Sequence, residues 1–295
     1  MPLEPVVDMV KRAMAQGYAV GYFESWNIES LQGVIDAAEA TRSPVILGFN
    51  GDFLTRQNRL AGERVEWYGQ LGKTAAESTA VPCGLIFNEC PLDASVVRAM
   101  ECGFNIVSIA DPAADYRDYV RRVRQMTAMA HARGVGIEAD VGELPRGVSG
   151  VVDDGGNLTS PEEAARFVED TGVDLLAVSV GNVHIMVKGR EPLDLDRLAA
   201  VHSRVSVPLV LHGGTGISPE TLRGAISLGV RKVNYGTCLK QPYLQAVRDA
   251  MRVTQDDPHR LLGIGGREDV MVAGRLAVRQ AVLERIAQLG SAGRA

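Results

Sequence analysis

The sequence predicts an α/β fold, an eight-stranded parallel (β/α)₈ or TIM barrel, and three observations point there. Short β-branched apolar runs alternate with longer stretches of helical period, the pattern of parallel strands joined by crossover helices. Eight such runs occur in succession, which suits closure better than an open doubly wound sheet. An open sheet of that kind carries a Gly-rich turn after its first strand, and no GxGxxG follows Phe23. The 295 residues also suffice for one barrel of about 250 residues. A single domain over 1–295 with a helical C-terminal extension is therefore expected.

The opening MPLEPVVDMVKRAMAQG reads as an amphipathic helix rather than a signal peptide. Strands are predicted over Ala19–Phe23, Pro44–Phe49, Cys83–Phe87, Asn105–Ile109, Gly136–Val141, Asp174–Val180, Pro208–Leu211 and Arg231–Tyr235. Helices are predicted over Ile28–Thr41, Ala94–Cys102, Tyr116–Arg133, Pro161–Thr171, Leu195–His202 and Pro219–Leu228. Ser160-Pro161-Glu162-Glu163 supplies a cap, a first-turn proline and two acids to open one of these helices, and Gly172 closes it. The longest irregular stretch, Gly142–Thr159, is rich in Gly and Asp and reads as a βα loop able to act as a lid. From about Gln241 onward the chain carries helical segments, and the terminal GSAGRA is expected to fray.

Composition excludes several classes. Hydrophobic residues make up 46% and charged residues 23%, the balance of a soluble globular chain. A net charge of -5 from 31 basic and 36 acidic side chains leaves no basic stripe for a nucleic-acid backbone. No apolar run approaches the roughly 20 residues of a membrane span, so a cytoplasmic protein without membrane contact is expected. Cys83, Cys90, Cys102 and Cys238 lack CxxC spacing, which signals neither a disulfide framework nor a thiolate zinc knuckle.

In a barrel the chemistry lies at the C-terminal ends of strands and in the loops after them. Two histidines fall there: His184 after LLAVSVGNV and His212 at the end of VPLVLHGG. Two imidazoles on neighbouring strands could converge on a divalent ion. Around His212 the chain reads LVLHGGTGIS, where two glycines and a threonine precede a helix start and offer a phosphate cradle. VRKVNYGT adds Asn234 and Thr237 at the next strand end, and phosphate contacts recur across the seventh and eighth loops of barrels.

Taken with the rest of the chain, these residues resemble the class II, metal-dependent ketose-bisphosphate aldolases. That family's patterns include AFNV, LHLDHG, EAELG, HGVYKG, HGGSG and NVAT. In order and at similar spacing the chain offers GYFESWN at Gly21–Asn27, LIFNEC at Leu85–Cys90 and EADVG at Glu138–Gly142. NVHIMVKG at Asn182–Gly189, HGGTG at His212–Gly216 and NYGT at Asn234–Thr237 follow.

The resemblance implies a metal site from His184, His212, Glu89 and Asp140, with Zn²⁺ as the expected ion. It implies a substrate and phosphate set of Asn27, Lys188, Gly189, Gly213, Gly214, Thr215, Asn234, Gly236 and Thr237. The departures sit at the third strand, where the family's Asp-His pair is Asn88-Glu89. Two His and one Glu still form an accepted zinc set, but Asn88 cannot exchange a proton near neutral pH. Glu24, in place of the family's Asn in AFNV, is a candidate substitute for the lost acid. Asp153, Asp154 and Glu143 are candidates for the loop acid, and Glu138 is read as structural.

The function so implied is an aldolase-type lyase acting on a phosphorylated ketose or sugar derivative through an enediolate. Two alternatives stay open: an isomerase or epimerase using the same intermediate, and a non-catalytic sugar-phosphate-binding relative. A homo-oligomer, dimer or larger, is implied by the resemblance alone.

Overall fold

The computed structural model describes residues 3–111, 114–142, 157–183, 192–252 and 256–295. Eight parallel strands close into a barrel in sequence order: β1 Val20–Glu24, β2 Val45–Asn50, β3 Cys83–Cys90, β4 Ile106–Ile109, β5 Gly136–Val141, β6 Leu175–Val178, β7 Leu209–Leu211 and β8 Val230–Tyr235. β8 pairs with β1, with Tyr22 opposite Asn234 and Phe23 opposite Tyr235, and this pairing completes the closure. The barrel expected from the alternation is the barrel observed, with most strand ends displaced by one or two residues.

Period-two alternation divides the apolar residues into two clusters. Val20, Tyr22, Ile46, Ile86, Ile106, Leu175 and Val210 fill the interior with Val6, Met9, Val10 and Ala13 from the first helix. That helix, Val6–Gln16, therefore packs on interior residues, and the strands make room for it with glycines. A Cβ at Gly84 would lie 2.2 Å from Val6 Cγ2, and one at Gly136 2.6 Å from Val7 Cγ2. The outward residues, among them Phe23, Leu47, Phe87, Ile137 and Val233, form a larger cluster that also contains Leu31, Val123, Phe167 and Val278 from the surrounding helices.

Three of the predicted helices, Ile28–Thr41, Pro161–Thr171 and Leu195–His202, have the expected ends. The tail carries the expected helical segments, beginning a few residues before Gln241. Helices span Thr237–Ala250 and Pro258–Leu261, and a longer one spans Val270–Leu289. The latter lies against the helix Ile28–Thr41, where a Cβ at Gly33 would meet Val278 Cβ at 3.0 Å, and Arg275 forks onto Asp36 at 2.6 and 2.7 Å. The terminus is tied down rather than frayed. Ser43 Oγ donates to Ser291 Oγ at 2.8 Å, and the amides of Gly293 and Ala295 donate to Thr41 and Arg42 carbonyls at 2.9 Å each. No helix among the described residues is long and apolar enough to cross a membrane.

Candidate active site

Strand parity carries the polar residues inward at the C-terminal end of the barrel. Glu24 follows Tyr22 by two on β1, Asp140 follows Glu138 on β5, Asn234 follows Lys232 on β8, and Asn88 follows the interior Ile86 on β3. Glu89 breaks this rule, because parity with the outward Phe87 would turn it away from the barrel axis. The register of β3 against β4 shifts between Phe87 and Cys90, and Glu89 takes a left-handed φ of 55°. Only Arg42 shares a positive φ among the described non-glycine residues. A left-handed turn costs an L-residue about 1–2 kcal/mol, and such strain persists where the surroundings fix it. Here the bulge swings the Glu89 carboxylate inward, and β3 runs to Cys90 instead of ending at Phe87 as predicted.

The carboxylate so redirected meets His212. Nδ1 of His212 lies 2.8 Å from Glu89 Oε1, and Nε2 lies 3.1 Å from Glu138 Oε1 and 3.6 Å from Asp140 Oδ1. Glu138 and Lys232 are both fully buried, and Lys232 Nζ donates to Glu138 Oε1 at 3.1 Å and lies 2.9 Å from Oε2. Lys232 also donates to Asn234 Oδ1 at 2.6 Å, and Asn234 Nδ2 donates to Asn88 Oδ1 at 3.4 Å. Asn50 ends β2 by capping the next turn, accepting from Phe53 N at 2.9 Å, and this cap leaves its Nδ2 to donate to Glu89 Oε2 at 2.9 Å.

Burial alone would deprotonate His212, but the field of Asp140 and the hydrogen bonds to Glu138 and Glu89 outweigh it and push the imidazole up to about 10. Burial would raise Glu138, yet Lys232 and His212 hold its carboxyl below the usual range. Three carboxylates, those of Glu89, Glu138 and Asp140, converge on this one imidazole. Imidazole nitrogen with carboxylate oxygens is a borderline donor set that suits a divalent ion of the zinc type. Glu89 and His212 would be the residues to hold such an ion, and Glu138 at Nε2 would give the carboxylate support usual behind a ligating imidazole. Among the described residues alone, no group of three or more His, Cys, Asp or Glu side chains could hold an ion. The second expected histidine, His184, lies outside the described residues.

Two cavities flank this centre. The larger, about 630 Å³, is lined by Glu89, Asp140, His212, Asp111, Tyr119 and Ser179 among others. The smaller, about 280 Å³, is lined by Glu24, Asn88, Gly213, Thr215, Asn234 and Thr237 with several neighbours. The phosphate loops predicted after β7 and β8 thus share one cavity. They are tied together there, since Cys238 N donates to Thr215 Oγ1 at 3.2 Å. Gly213 has φ 67°, and a Cβ there would lie 2.1 Å from the Val183 carbonyl. Gly213→Ala is expected to destabilise the protein by about 1–3 kcal/mol, read as a lowered urea midpoint.

Of the substrate set, Asn27 is placed elsewhere. It caps the helix Ile28–Thr41, with Oδ1 accepting from Ser30 N at 2.9 Å and Nδ2 donating to Tyr243 Oη at 2.8 Å. The cap commits the amide, and Asn27 drops from the phosphate set. Lys188, Gly189, Glu143, Asp153 and Asp154, and most of the expected lid, lie outside the described residues. Lys232, Asn50, Tyr22 and Lys240 join the site without having been singled out in the sequence. Lys232 was findable, as a charge in an apolar strand two residues before Asn234. Lys240 was not, because it comes from a helix.

The family described as Fructose-bisphosphate aldolase class-II matches residues 4–294. A fructose-bisphosphate aldolase of Geobacillus stearothermophilus is 32% identical, the match covering 100% of this chain and 99% of that protein. One from Thermus caldophilus is 33% identical, with 98% of each chain covered. The crystal structure of the YdjI aldolase from Escherichia coli K12 superposes with a TM-score of 0.82 at 31% identity, covering 99% of both chains. With the barrel, the strand-end cluster and the paired loops after β7 and β8 in place, the chain belongs to the class II fructose-bisphosphate aldolase family.

Proposed function

We propose that the chain is a metal-dependent aldolase that cleaves a phosphorylated ketose between carbons, through an enediolate. The observation that carries this reading is the inward turn of Glu89 at a left-handed bulge, onto the same imidazole that Glu138 supports. Glu89 and His212, with His184, would hold the ion, with Asp140 on the Nε2 edge of the ring orienting the imidazole, and zinc is the first choice for these donors. The ion, when bound, would supply a Lewis acid for the ketose carbonyl and for the charge that develops on its oxygen.

The chain's own groups do the rest. Glu138 holds Nε2 of His212 and thereby fixes which ring nitrogen is left for the ion. Asn88 accepts from Asn234 through Oδ1, so its Nδ2 is the group turned to substrate oxygen as a donor. An amide moves no proton, and cleavage needs a base for the substrate hydroxyl and an acid for the carbanion carbon. Glu24, buried beside Asn88 in the smaller cavity, is the proton carrier in this reading, with Asp153 or Asp154 as the loop acid. A cytoplasmic homo-oligomer, dimer or larger, belongs to the same proposal.

Metal analysis of the purified protein, followed by a panel of phosphorylated ketoses assayed for triose phosphate, tests the reading. About one divalent ion per chain and chelator-sensitive release are expected; release that survives metal removal would overturn it. Asn88→Asp is expected to raise cleavage of ordinary ketose bisphosphates from a low base. The new carboxylate can accept the same Asn234 hydrogen bond and adds a titratable group beside the metal donors.

A further inference from the structure

The phenol of Tyr22 takes no part in the chemistry above, yet it belongs to the cavity in which that chemistry is set. Strand parity turns Tyr22 inward two residues before Glu24 on β1, and it lines the smaller cavity with Glu24, Asn88 and Asn234. The residue is buried, and its hydroxyl has no hydrogen-bond partner among the described residues. Tyr18 and Tyr235 share that condition in other places. Tyr18 precedes β1 at the opposite end of the barrel, and the Tyr235 ring stacks on Phe23 among the outward residues, with centroids 5.5 Å apart. The Tyr22 ring is held in place by Ile46 and Ile86 of the interior cluster and by Lys232, whose Nζ lies 5.3 Å from its centroid.

A buried hydroxyl without a partner costs stability that a phenylalanine at the same place would not cost. Its presence in a cavity points to an acceptor that comes from outside the chain. Burial first, and then the carboxylates of Glu24, Glu89 and Glu138, push this phenol well above its ordinary value, so it donates a hydrogen bond without giving up its proton. The cleavage step supplies the acceptor. As the substrate hydroxyl beside the breaking bond loses its proton to Glu24, negative charge gathers on its oxygen. The C–C bond then breaks, that oxygen becomes the aldehyde carbonyl, and the bond pair stays on the other fragment as the enediolate. Such an oxygen needs donors that do not reprotonate it. The Asn88 amide is one, and a phenol kept protonated is a second; two preorganised neutral donors on one developing oxyanion lower the barrier to forming it.

We propose that Tyr22 is a further catalytic residue, donating from its phenol to the hydroxyl oxygen that Glu24 deprotonates and sharing that oxygen with Asn88 Nδ2. This rests on reading the protein as an aldolase with Glu24 as its proton carrier. One proton passes from the substrate hydroxyl to Glu24, and the phenol keeps its own throughout. Tyr22 and Asn88 thereby form the oxyanion pair of a site in which the third strand carries no acid.

The test combines steady-state kinetics with urea unfolding of the metal-loaded protein, on the phosphorylated ketose that it cleaves best. Tyr22→Phe, which removes only the hydroxyl, is expected to lower kcat by about 10² with KM within about threefold of wild type. Metal content should be unchanged, and the urea midpoint should equal that of the wild type or exceed it, because the unpartnered hydroxyl is gone. In the Asn88→Asp background, where a titratable group replaces the amide beside the same oxygen, the change is expected to cost less than about tenfold. Equal losses in the two backgrounds, or a fall in midpoint and metal content alongside kcat, are the marks of a structural tyrosine and would overturn the role. A wild type that cleaves no phosphorylated ketose would sink the aldolase reading and this role with it, whereas an active wild type matched by Tyr22→Phe would sink the tyrosine's role alone.

Discussion

Glu89→Ala is expected to strip the divalent ion from the protein and lower triose-phosphate release by about 10² or more. The size follows from geometry. Glu89 is held by Asn50 at 2.9 Å and faces Nδ1 of His212 at 2.8 Å, so its removal deletes a charged donor and the anchor of the imidazole. Glu89→Gln separates the two losses, because the amide fills the same volume and can still bond to Asn50 and His212 without the charge. If charge is what matters, the Gln variant should lose metal nearly as fully as the Ala variant. The double change Asn88→Asp with Glu89→His restores the pair that the family's motif carries at this strand end, and it should recover metal binding with an imidazole in place of the carboxylate. Metal content unchanged in Glu89→Ala would leave only His184 and His212 as supported ligands. It would also leave the left-handed turn at Glu89 without a function.

That turn marks the limit of what the sequence reveals. The barrel was legible because strand and helix periods differ and because eight units in a row close. His212, Asn234 and the loops beside them were legible because strand ends host chemistry in such a barrel. Glu89 was legible only as a residue at a motif position. By alternation it should face the helices, and its inward turn depends on a register shift between neighbouring strands that no local pattern encodes. Asn27 fails in the opposite sense: it sits at a motif position, but the local demand for a helix cap takes its side chain. Lys240 was invisible because its meeting with Glu24 joins residues 216 apart in the chain. The tail misled for a similar reason, since GSAGRA has the composition of a frayed end and is fixed by partners near Thr41.

Lys232→Met is expected to cost the fold about 3–5 kcal/mol, seen as a large drop in the urea midpoint with the slope unchanged. Lys232 and Glu138 are each fully buried and lie 2.9 Å apart. Removing the lysine therefore leaves a carboxylate in the interior, beside an imidazole that Glu89 and Asp140 also claim. The pH dependence identifies the cause. In the wild type the Glu138 carboxyl is held below its usual value, so its contribution to stability is present above the ordinary carboxylate range and is lost only as acid protonates it. In the variant the stranded carboxylate is the burden, and protonation relieves it, so the deficit should shrink as pH falls from neutral towards about 4.5. A plain loss of packing would give a deficit independent of pH. Lys232→Met combined with Glu138→Gln removes both charges with little change in volume and should recover most of the lost stability, since a buried pair is often replaceable as a whole. Activity should not return with it. Without Lys232 the amide of Asn234 has no cation to fix its Oδ1, its Nδ2 is no longer aimed at Asn88, and Nε2 of His212 faces an amide in place of a carboxylate. Stability restored without turnover would show that this buried pair is kept to orient Asn234 and His212, while full recovery of both would reduce it to a structural contact.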